Sequence, residues 1–193
     1  CWGHNEFGQL GDGTFARLTF HARPWPVLGI TDAVEVAVGR SHACARLTSG
    51  AVRCWGANTS GQTGSGAVTS AEPTPVTVTG ITNATALAAG WGHTCAVLAD
   101  RTVRCWGSNS LGQLGDGTMT GRAAPAAVVG LTSVTGISAG PSDEAPQTLA
   151  FTVSSSNQAV VASADLTITP IVNGNATLRL KPVANASGTT TMG

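Results

Sequence analysis

The sequence has little charge, few aromatic residues and no tyrosine. Only 10% of its 193 residues are charged and 5% are aromatic, whereas an average soluble domain carries roughly 25% charged residues. The ten Lys and Arg residues balance the ten Asp and Glu residues, so the chain lacks the positive field that attracts nucleic acid or an anionic lipid surface. No apolar run approaches the roughly 20 residues that cross a bilayer. We therefore expect no nucleic-acid partner and no insertion into a membrane.

Glycine and small residues take the place of the missing charge. The chain contains 25 glycines and 9 prolines, and Thr, Val, Ala and Ser make up most of the remainder. This composition favours many short strands joined by turns over long helices. We therefore predict an all-β chain.

Three sequence elements recur with a period of about fifty residues. Cys-Trp-Gly stands at Cys1, Cys54 and Cys105, at intervals of 53 and 51 residues. A glycine-rich turn follows each copy and carries an Asn and a Gln at constant spacing: Asn5 and Gln9, Asn58 and Gln62, Asn109 and Gln113. A Gly-x-x-His-x-Cys-Ala element places His42 and His93 at the same phase, and a Gly-(Ile/Leu)-Thr element precedes it. A fixed period of this length is typical of solenoids and propellers.

Each period contains about four predicted strands. In one period the predicted strands cover residues 34–38, 43–47 and 51–55, and in the next they cover residues 85–89, 94–98 and 102–106. The second and third of these strands form a hairpin, with its turn at residues 48–50 in one copy and 99–101 in the other. A looser fourth segment covers residues 24–28, 75–79 and 125–129. Four strands in roughly 50 residues indicate one blade of a β-propeller.

These elements resemble the repeats of the regulator of chromosome condensation family. The resemblance rests on Trp-Gly-x-Asn-x-x-Gly-Gln-x-Gly, Gly-x-x-His-x-Cys-Ala and the Gly-(Ile/Leu)-Thr lead-in, and it covers about residues 1–140. It implies a partial β-propeller of about two and a half four-stranded blades from a ring of seven. We expect the remaining blades of a parent chain as partners. Cysteine at both hairpin positions is similar to the bacterial secreted branch of the family.

The recurring residues have predicted structural roles within such blades. Trp2, Trp55 and Trp106 share one phase, which predicts core packing between blades. In the resembled family the histidine at the positions of His42 and His93 is a structural hydrogen-bonding residue. The Asn and Gln residues of the three glycine-rich turns are predicted to be structural as well.

The cysteines are predicted to form two cross-strand disulfides. Cys44 and Cys54 flank a turn centred on Ser49, so an antiparallel register places them opposite one another, and Cys95 with Cys105 repeat this arrangement. Cys1 is left over, because its partner would lie ten residues upstream. Two alternatives remain: buried free thiols, or zinc bound by each pair together with His42 or His93.

Other candidate residues carry weaker signals. Gly90-Trp91-Gly92-His93-Thr94 is similar to a motif with light-sensing tryptophans in the plant ultraviolet-B photoreceptor of the same superfamily, but Trp91 is predicted to be a contact or packing residue. Asp12 and Asp116 lie in Gly-Asp-Gly-Thr turns, where Asp commonly bonds its own backbone. The glycine-rich turns lack the lysine of a phosphate-binding loop. We predict no cofactor, no metal and no catalytic residue.

A second region begins where the repeat stops. Residues 141–146 have the composition of a linker, and residues 149–153, 166–169 and 176–181 alternate as half-buried strands do. The region is similar to the front half of an immunoglobulin-like or cadherin-like repeat of bacterial surface proteins, so residues 141–193 are predicted to be a partial β-sandwich. Asp143 and Glu144 are a candidate calcium site at this junction, although a solvated linker is the favoured interpretation.

Repetition without a set of catalytic groups favours a binding function. The leading hypothesis is a non-catalytic binding, adhesion or structural module of a bacterial secreted or cell-surface protein, with an unidentified protein or glycan ligand. Guanine-nucleotide exchange on a small GTPase is the first alternative, because that activity belongs to the resembled family. A hydrolase or lyase on a propeller scaffold is the second, and it requires convergent acidic groups in a pocket.

Overall fold

A computed structural model describes residues 1–15 and 20–139, together with the short strands at 149–152, 166–168 and 178–180. These residues form strands and turns without a helix. The described residues thus include no apolar helix of the length that spans a membrane. The all-β prediction is confirmed for this part of the chain.

The repeats form one partial and two complete antiparallel sheets, which are the blades of a partial propeller. Blade 1 contains β1 (Gly3–His4) and β2 (Phe20–His21). Blade 2 contains β3 (Ala33–Val38), β4 (His42–Leu47), β5 (Val52–Ala57) and β6 (Ala71–Thr77), and blade 3 contains β7 (Ala84–Ala89), β8 (His93–Leu98), β9 (Val103–Gly107) and β10 (Arg122–Ala127). Within each complete blade the strands pair in chain order, and the second and third strands form the predicted hairpin.

The looser fourth segment of the prediction is partly wrong. In blades 2 and 3 the fourth strand begins several residues earlier, at Ala71 and Arg122. Residues 24–28 do not form a strand. Trp25 instead exchanges two hydrogen bonds with Cys1, at 2.8 and 2.7 Å, which extends the β1–β2 ladder by one isolated pair. Pro24 and Pro26 flank this pair and lack the N–H groups that a longer ladder needs.

Each hairpin disulfide lies in the interface between two blades. Cys44 pairs with Cys54 in the β4–β5 register and is bonded to it, and Cys95 is bonded to Cys105 in the same way. The first bridge packs in one buried cluster with Leu87 of β7. The second bridge packs against Ile137 of β11 (Gly136–Ala139), which holds the same phase as Leu87. Each bridge thus supports the first strand of the following blade.

We expect one reactive thiol in the denatured, unreduced protein and five after reduction, because Cys1 is the only free cysteine among the five. A bridge between residues ten apart stabilises a folded chain by roughly 3 kcal/mol. Titration with a thiol reagent in denaturant measures the count, and urea unfolding with and without reductant measures the stability. Cys1→Ser is the matched control and lowers the count to zero. Five thiols before reduction would contradict the structure.

The first strand of blade 2 exposes the face that its counterpart in blade 3 buries. Val36 and Val38 are 56% and 69% exposed, whereas Leu87 and Ala89, at the same phase, are 5% and 3% exposed. Leu87 and Ala89 are covered by the bridged hairpin of blade 2, while the described part of blade 1 offers β3 no such hairpin. The two valines therefore form an apolar edge of the described structure.

One described strand of the second region pairs with the last described strand of the repeats. β12 (Leu149–Thr152) pairs antiparallel with β11, and Leu149 lies opposite Ala139. Ala89 holds the same phase in the preceding blade, and Thr94 lies opposite it. β13 (Leu166–Ile168) pairs with β14 (Leu178–Leu180). The remainder of the predicted immunoglobulin-like fragment, including Asp143 and Glu144, lies outside the described residues.

Candidate functional site

Each glycine-rich turn is organised by its Asn and its Gln in the same way. The buried amides of Asn5, Asn58 and Asn109 accept a hydrogen bond from the backbone N–H five residues ahead, at 2.9–3.1 Å, and donate one to the carbonyl nine residues ahead, at 3.0–3.1 Å. The Oε1 atoms of Gln9, Gln62 and Gln113 accept from the backbone N–H two residues behind, at 2.8–2.9 Å. These bonds fix the shape of the three turns identically.

Two of the three recurring tryptophans join neighbouring blades through these turns. Trp55 donates from Nε1 to the carbonyl of Gln9 at 2.9 Å, and Trp106 donates to the carbonyl of Gln62 at 2.9 Å. Both side chains are fully buried. Trp2 is 68% exposed among the described residues. Its core packing stays a prediction, because a tryptophan at this phase packs on a turn of the preceding repeat.

The recurring histidines are buried and uncharged. His42 Nε2 lies 2.8 Å from the hydroxyl of Thr94 in the next blade. Burial lowers the pKa of both His42 and His93 to about 4, and the proximity of His93 adds to the effect on His42. A Cβ at Gly90 would overlap the ring of His93, which accounts for the glycine three residues before the histidine.

The described residues do not provide the ligands that the zinc alternative requires. The cysteine sulfurs that it requires beside His42 and His93 are bonded to one another. The described residues also contain no group of three or more His, Cys, Asp and Glu side chains placed to hold a metal ion.

A groove of about 540 Å³ crosses the face that carries the β3–β4 and β7–β8 loops and the glycine-rich turns. We call it the loop-face groove. Its lining includes Arg40, Ser41, Trp91, Ser108 and the turn residues Phe7, Thr59, Ser60, Gln62, Ser110, Leu111 and Gln113. Trp91 is 48% exposed and Leu111 is 51% exposed. The guanidinium carbon of Arg40 lies 4.4 Å from the centroid of the Trp91 ring, so a cation–π contact joins blades 2 and 3 at the surface.

Several side chains that line the groove differ between repeats, although the scaffold around them recurs. Arg40 and Trp91 occupy the same position, directly after the recurring glycine and two residues before the recurring histidine. Phe7, Ser60 and Leu111 share another position, two residues before the recurring glutamine. Sequence reasoning singled out Trp91 but missed Arg40 and Leu111. The sequence does show that equivalent positions of the repeats carry different side chains at these sites. Such variation is typical of binding loops on a rigid scaffold.

Sequence reasoning also missed two side-chain contacts of the turn carboxylates. Asp12 lies 3.4 Å from His21, and Asp116 accepts a 2.7 Å hydrogen bond from Arg122. Both carboxylates also accept from a backbone N–H two residues ahead, at 2.9 and 3.0 Å, as Asx turns predict. The sequence signal was a coordinated change between repeats. Where Glu72 replaces the basic residue found at His21 and Arg122, Ser65 replaces the acidic residue found at Asp12 and Asp116.

The comparisons with known proteins decide the family. A model of the Regulator of chromosome condensation (RCC1) repeat matches residues 1–46, 49–97 and 102–142, and a second model of this repeat matches 33–62 and 84–113. The chain belongs to the RCC1-repeat family. Its matched residues include both complete blades and the loop-face groove.

Curated relatives of this RCC1-repeat chain have varied descriptions. It is 32% identical over 127 residues to the human probable E3 ubiquitin-protein ligase HERC6, covering 65% of this chain and 12% of the relative. It is 31% identical over 140 residues to the Arabidopsis thaliana ultraviolet-B receptor UVR8, covering 71% and 31%. It is 35% identical over 158 residues to the human probable E3 ligase HERC3, covering 80% and 15%. The chain thus spans less than a third of these relatives.

Solved structures agree with the fold. The Saccharomyces cerevisiae protein Prp20p matches with a TM-score of 0.64 at 18% identity, over 71% of this chain and 36% of that one. Human WBSCR16 matches with a TM-score of 0.63 at 24% identity, over 72% and 37%. At this level of identity the likeness shows the β-propeller architecture alone.

Proposed function

We propose that this RCC1-repeat chain is a non-catalytic protein-binding module of a bacterial secreted or cell-surface protein, and that the loop-face groove is its binding site. The observation that carries the proposal is the groove itself, where repeat-specific side chains lie exposed on turns held by identical hydrogen bonds. Such a site presents varied side chains without the entropic cost of ordering a loose loop. RCC1-repeat proteins act broadly as binding or regulatory modules, which agrees with this assignment.

A protein ligand is favoured over a glycan by the arrangement at Trp91. The Arg40 guanidinium covers one face of the indole, so that face is not free to stack on a sugar ring. The groove instead combines exposed apolar side chains such as Leu111 with several hydroxyl groups. Mixed apolar and polar lining of this kind suits a peptide segment.

The proposed location rests on the cysteines. Two bridges buried between blades would form and persist in an oxidising compartment such as the bacterial cell surface or the medium. The cysteine pair in both hairpins also supports the secreted branch of the family. The adhesion role of the leading hypothesis is part of this proposal.

The two catalytic alternatives gain less support. The yeast structure is described with the binding of Prp20p to Gsp1p and histones, but its likeness to this chain extends to the fold alone. For the hydrolase or lyase alternative, the described lining of the groove includes no Asp or Glu. The HERC relatives are described as ligases, and this chain spans only a small part of each.

A peptide-display selection tests the proposal. Random peptides are selected for binding to the full chain. We expect them to bind the double variant Trp91→Ala/Leu111→Ser at least tenfold more weakly, because the two exposed side chains that contact the peptide in the groove are removed. Val129→Ser is the matched control, since Val129 is 68% exposed and does not line the groove. Fluorescence anisotropy gives the affinities. Failure to enrich any peptide, or equal binding to the double variant, would refute the proposed site.

A further inference from the structure

We infer that the loop-face groove binds an extended acidic peptide segment of the partner protein, with a carboxylate held by Arg40 and an apolar side chain packed against Leu111. This inference rests on the proposed function and specifies the chemistry of its ligand. Charge, unsatisfied donors and exposed apolar surface among the described residues all point to such a segment.

The charge of the groove has one sign. Arg40 is the only Arg or Lys among its described lining residues, and no Asp or Glu lies there. His93, which also lines the groove, is neutral near pH 7 because burial lowers its pKa to about 4. A ligand carboxylate would therefore meet one cation and no like charge, which favours acidic segments and disfavours basic ones.

Arg40 has no carboxylate partner among the described residues, in contrast to Arg46 and Arg122. Arg46 bonds to Glu35 at 2.6 Å and Arg122 bonds to Asp116 at 2.7 Å. Arg40 has no such ion pair among the described residues and instead stacks on Trp91. The contact with the indole involves the guanidinium carbon, and the guanidinium N–H groups have no hydrogen-bond partner among the described residues. Such groups form the bidentate bonds that arginine makes with carboxylates. The indole thus orients a cation that still has donors to offer.

The turn glutamines add donors for a peptide backbone. The Oε1 atoms of Gln62 and Gln113 are used by the turns, at 2.8 and 2.9 Å. Their Nε2 groups have no hydrogen-bond partner in the part of the chain that the structure describes, and both residues line the groove. A bound segment supplies carbonyl oxygens as acceptors for such groups. Leu111, at 51% exposure, provides the apolar contact beside them.

Three labelled peptides that differ in one chemical feature test the inference. The probes are Gly-Asp-Leu-Asp-Leu-Gly, its Asn isostere and its Lys counterpart, each with blocked ends and a fluorescein label. We expect the Asp peptide to bind the full chain at least tenfold more tightly than the Asn peptide, and the Lys peptide to bind more weakly still. Fluorescence anisotropy at two salt concentrations measures this, and the preference for Asp over Asn shrinks as salt screens the charge.

An arginine variant links the preference to the groove. Arg40→Gln should abolish the difference between the Asp and Asn peptides, whereas Arg104→Gln, which removes an exposed arginine outside the groove lining, should preserve it. Thermal midpoints of both variants verify folding. Equal binding of the Asp and Asn peptides, no binding of the Asp peptide, or a preference that survives Arg40→Gln would overturn the acidic ligand. If selected peptides of neutral or basic composition still require Trp91 and Leu111, the protein-binding function stands without it.

Discussion

Replacement of Trp106 by alanine should lower the free energy of unfolding by about 4 kcal/mol. The indole is fully buried and packs in one cluster with Val78 and Ile81 of the preceding repeat. Its loss would leave a cavity in the interface of blades 2 and 3 and would remove the hydrogen bond to the carbonyl of Gln62. Urea unfolding followed by far-ultraviolet circular dichroism measures the change.

Trp91 provides the control, because it lies in the same blade and is 48% exposed. Trp91→Ala should change the free energy of unfolding by no more than about 1 kcal/mol, since it loses only a surface cation–π contact. Equal losses for the two variants would contradict the structure at this interface.

The protein should lose about 4 kcal/mol of stability when the pH falls from 7 to 5, because two buried histidines resist protonation. The pKa of His42 and of His93 is about 4 in the folded chain, against roughly 6.5 in an unfolded chain. Below pH 6.5 the unfolded state therefore binds more protons than the folded state, and acid favours unfolding. The loss levels off below pH 4, where both states are protonated.

Urea unfolding at pH 7, 6 and 5 measures this effect. His42→Gln should be less stable at pH 7 yet lose only about half as much stability between pH 7 and 5, since one of the two histidines is gone. Val129→Ser is the control: its side chain is 68% exposed and carries no titratable group, so we expect an unchanged pH slope. A stability that stays flat from pH 7 to 5 would refute the buried neutral state.

The turn carboxylates act in a different pH range. Burial would raise the pKa of Asp12 and Asp116, but hydrogen bonds from Thr14 and Thr118 outweigh it and hold both pKa values below 3.8. Their stabilisation is complete above pH 4 and is lost only as the pH falls through the lowered pKa values. The loss between pH 7 and 5 therefore reports the histidines.

The strand order and both disulfides were predictable from the sequence because they depend on local register. A hairpin centred on Ser49 fixes which residues lie opposite each other, so the ten-residue spacing of Cys44 and Cys54 determined their pairing. Because the period is regular, the same pairing could be predicted for the hairpin of the next repeat. The ends of strands near glycine and proline were less predictable, as residues 24–28 show.

The groove was less predictable because its contacts join different repeats. Arg40 and Trp91 are 51 positions apart, and their stacking depends on how two blades pack. Each side chain is ordinary within its own repeat.

The direction of the tryptophan contacts bears on the order in which the blades can form. The indoles of Trp55 and Trp106 bond to carbonyls that lie 46 and 44 residues earlier. A chain that leaves the ribosome or crosses a membrane with its amino terminus first presents each acceptor turn before the indole that binds it. Every new wedge of the propeller can therefore dock on a template that is already in place.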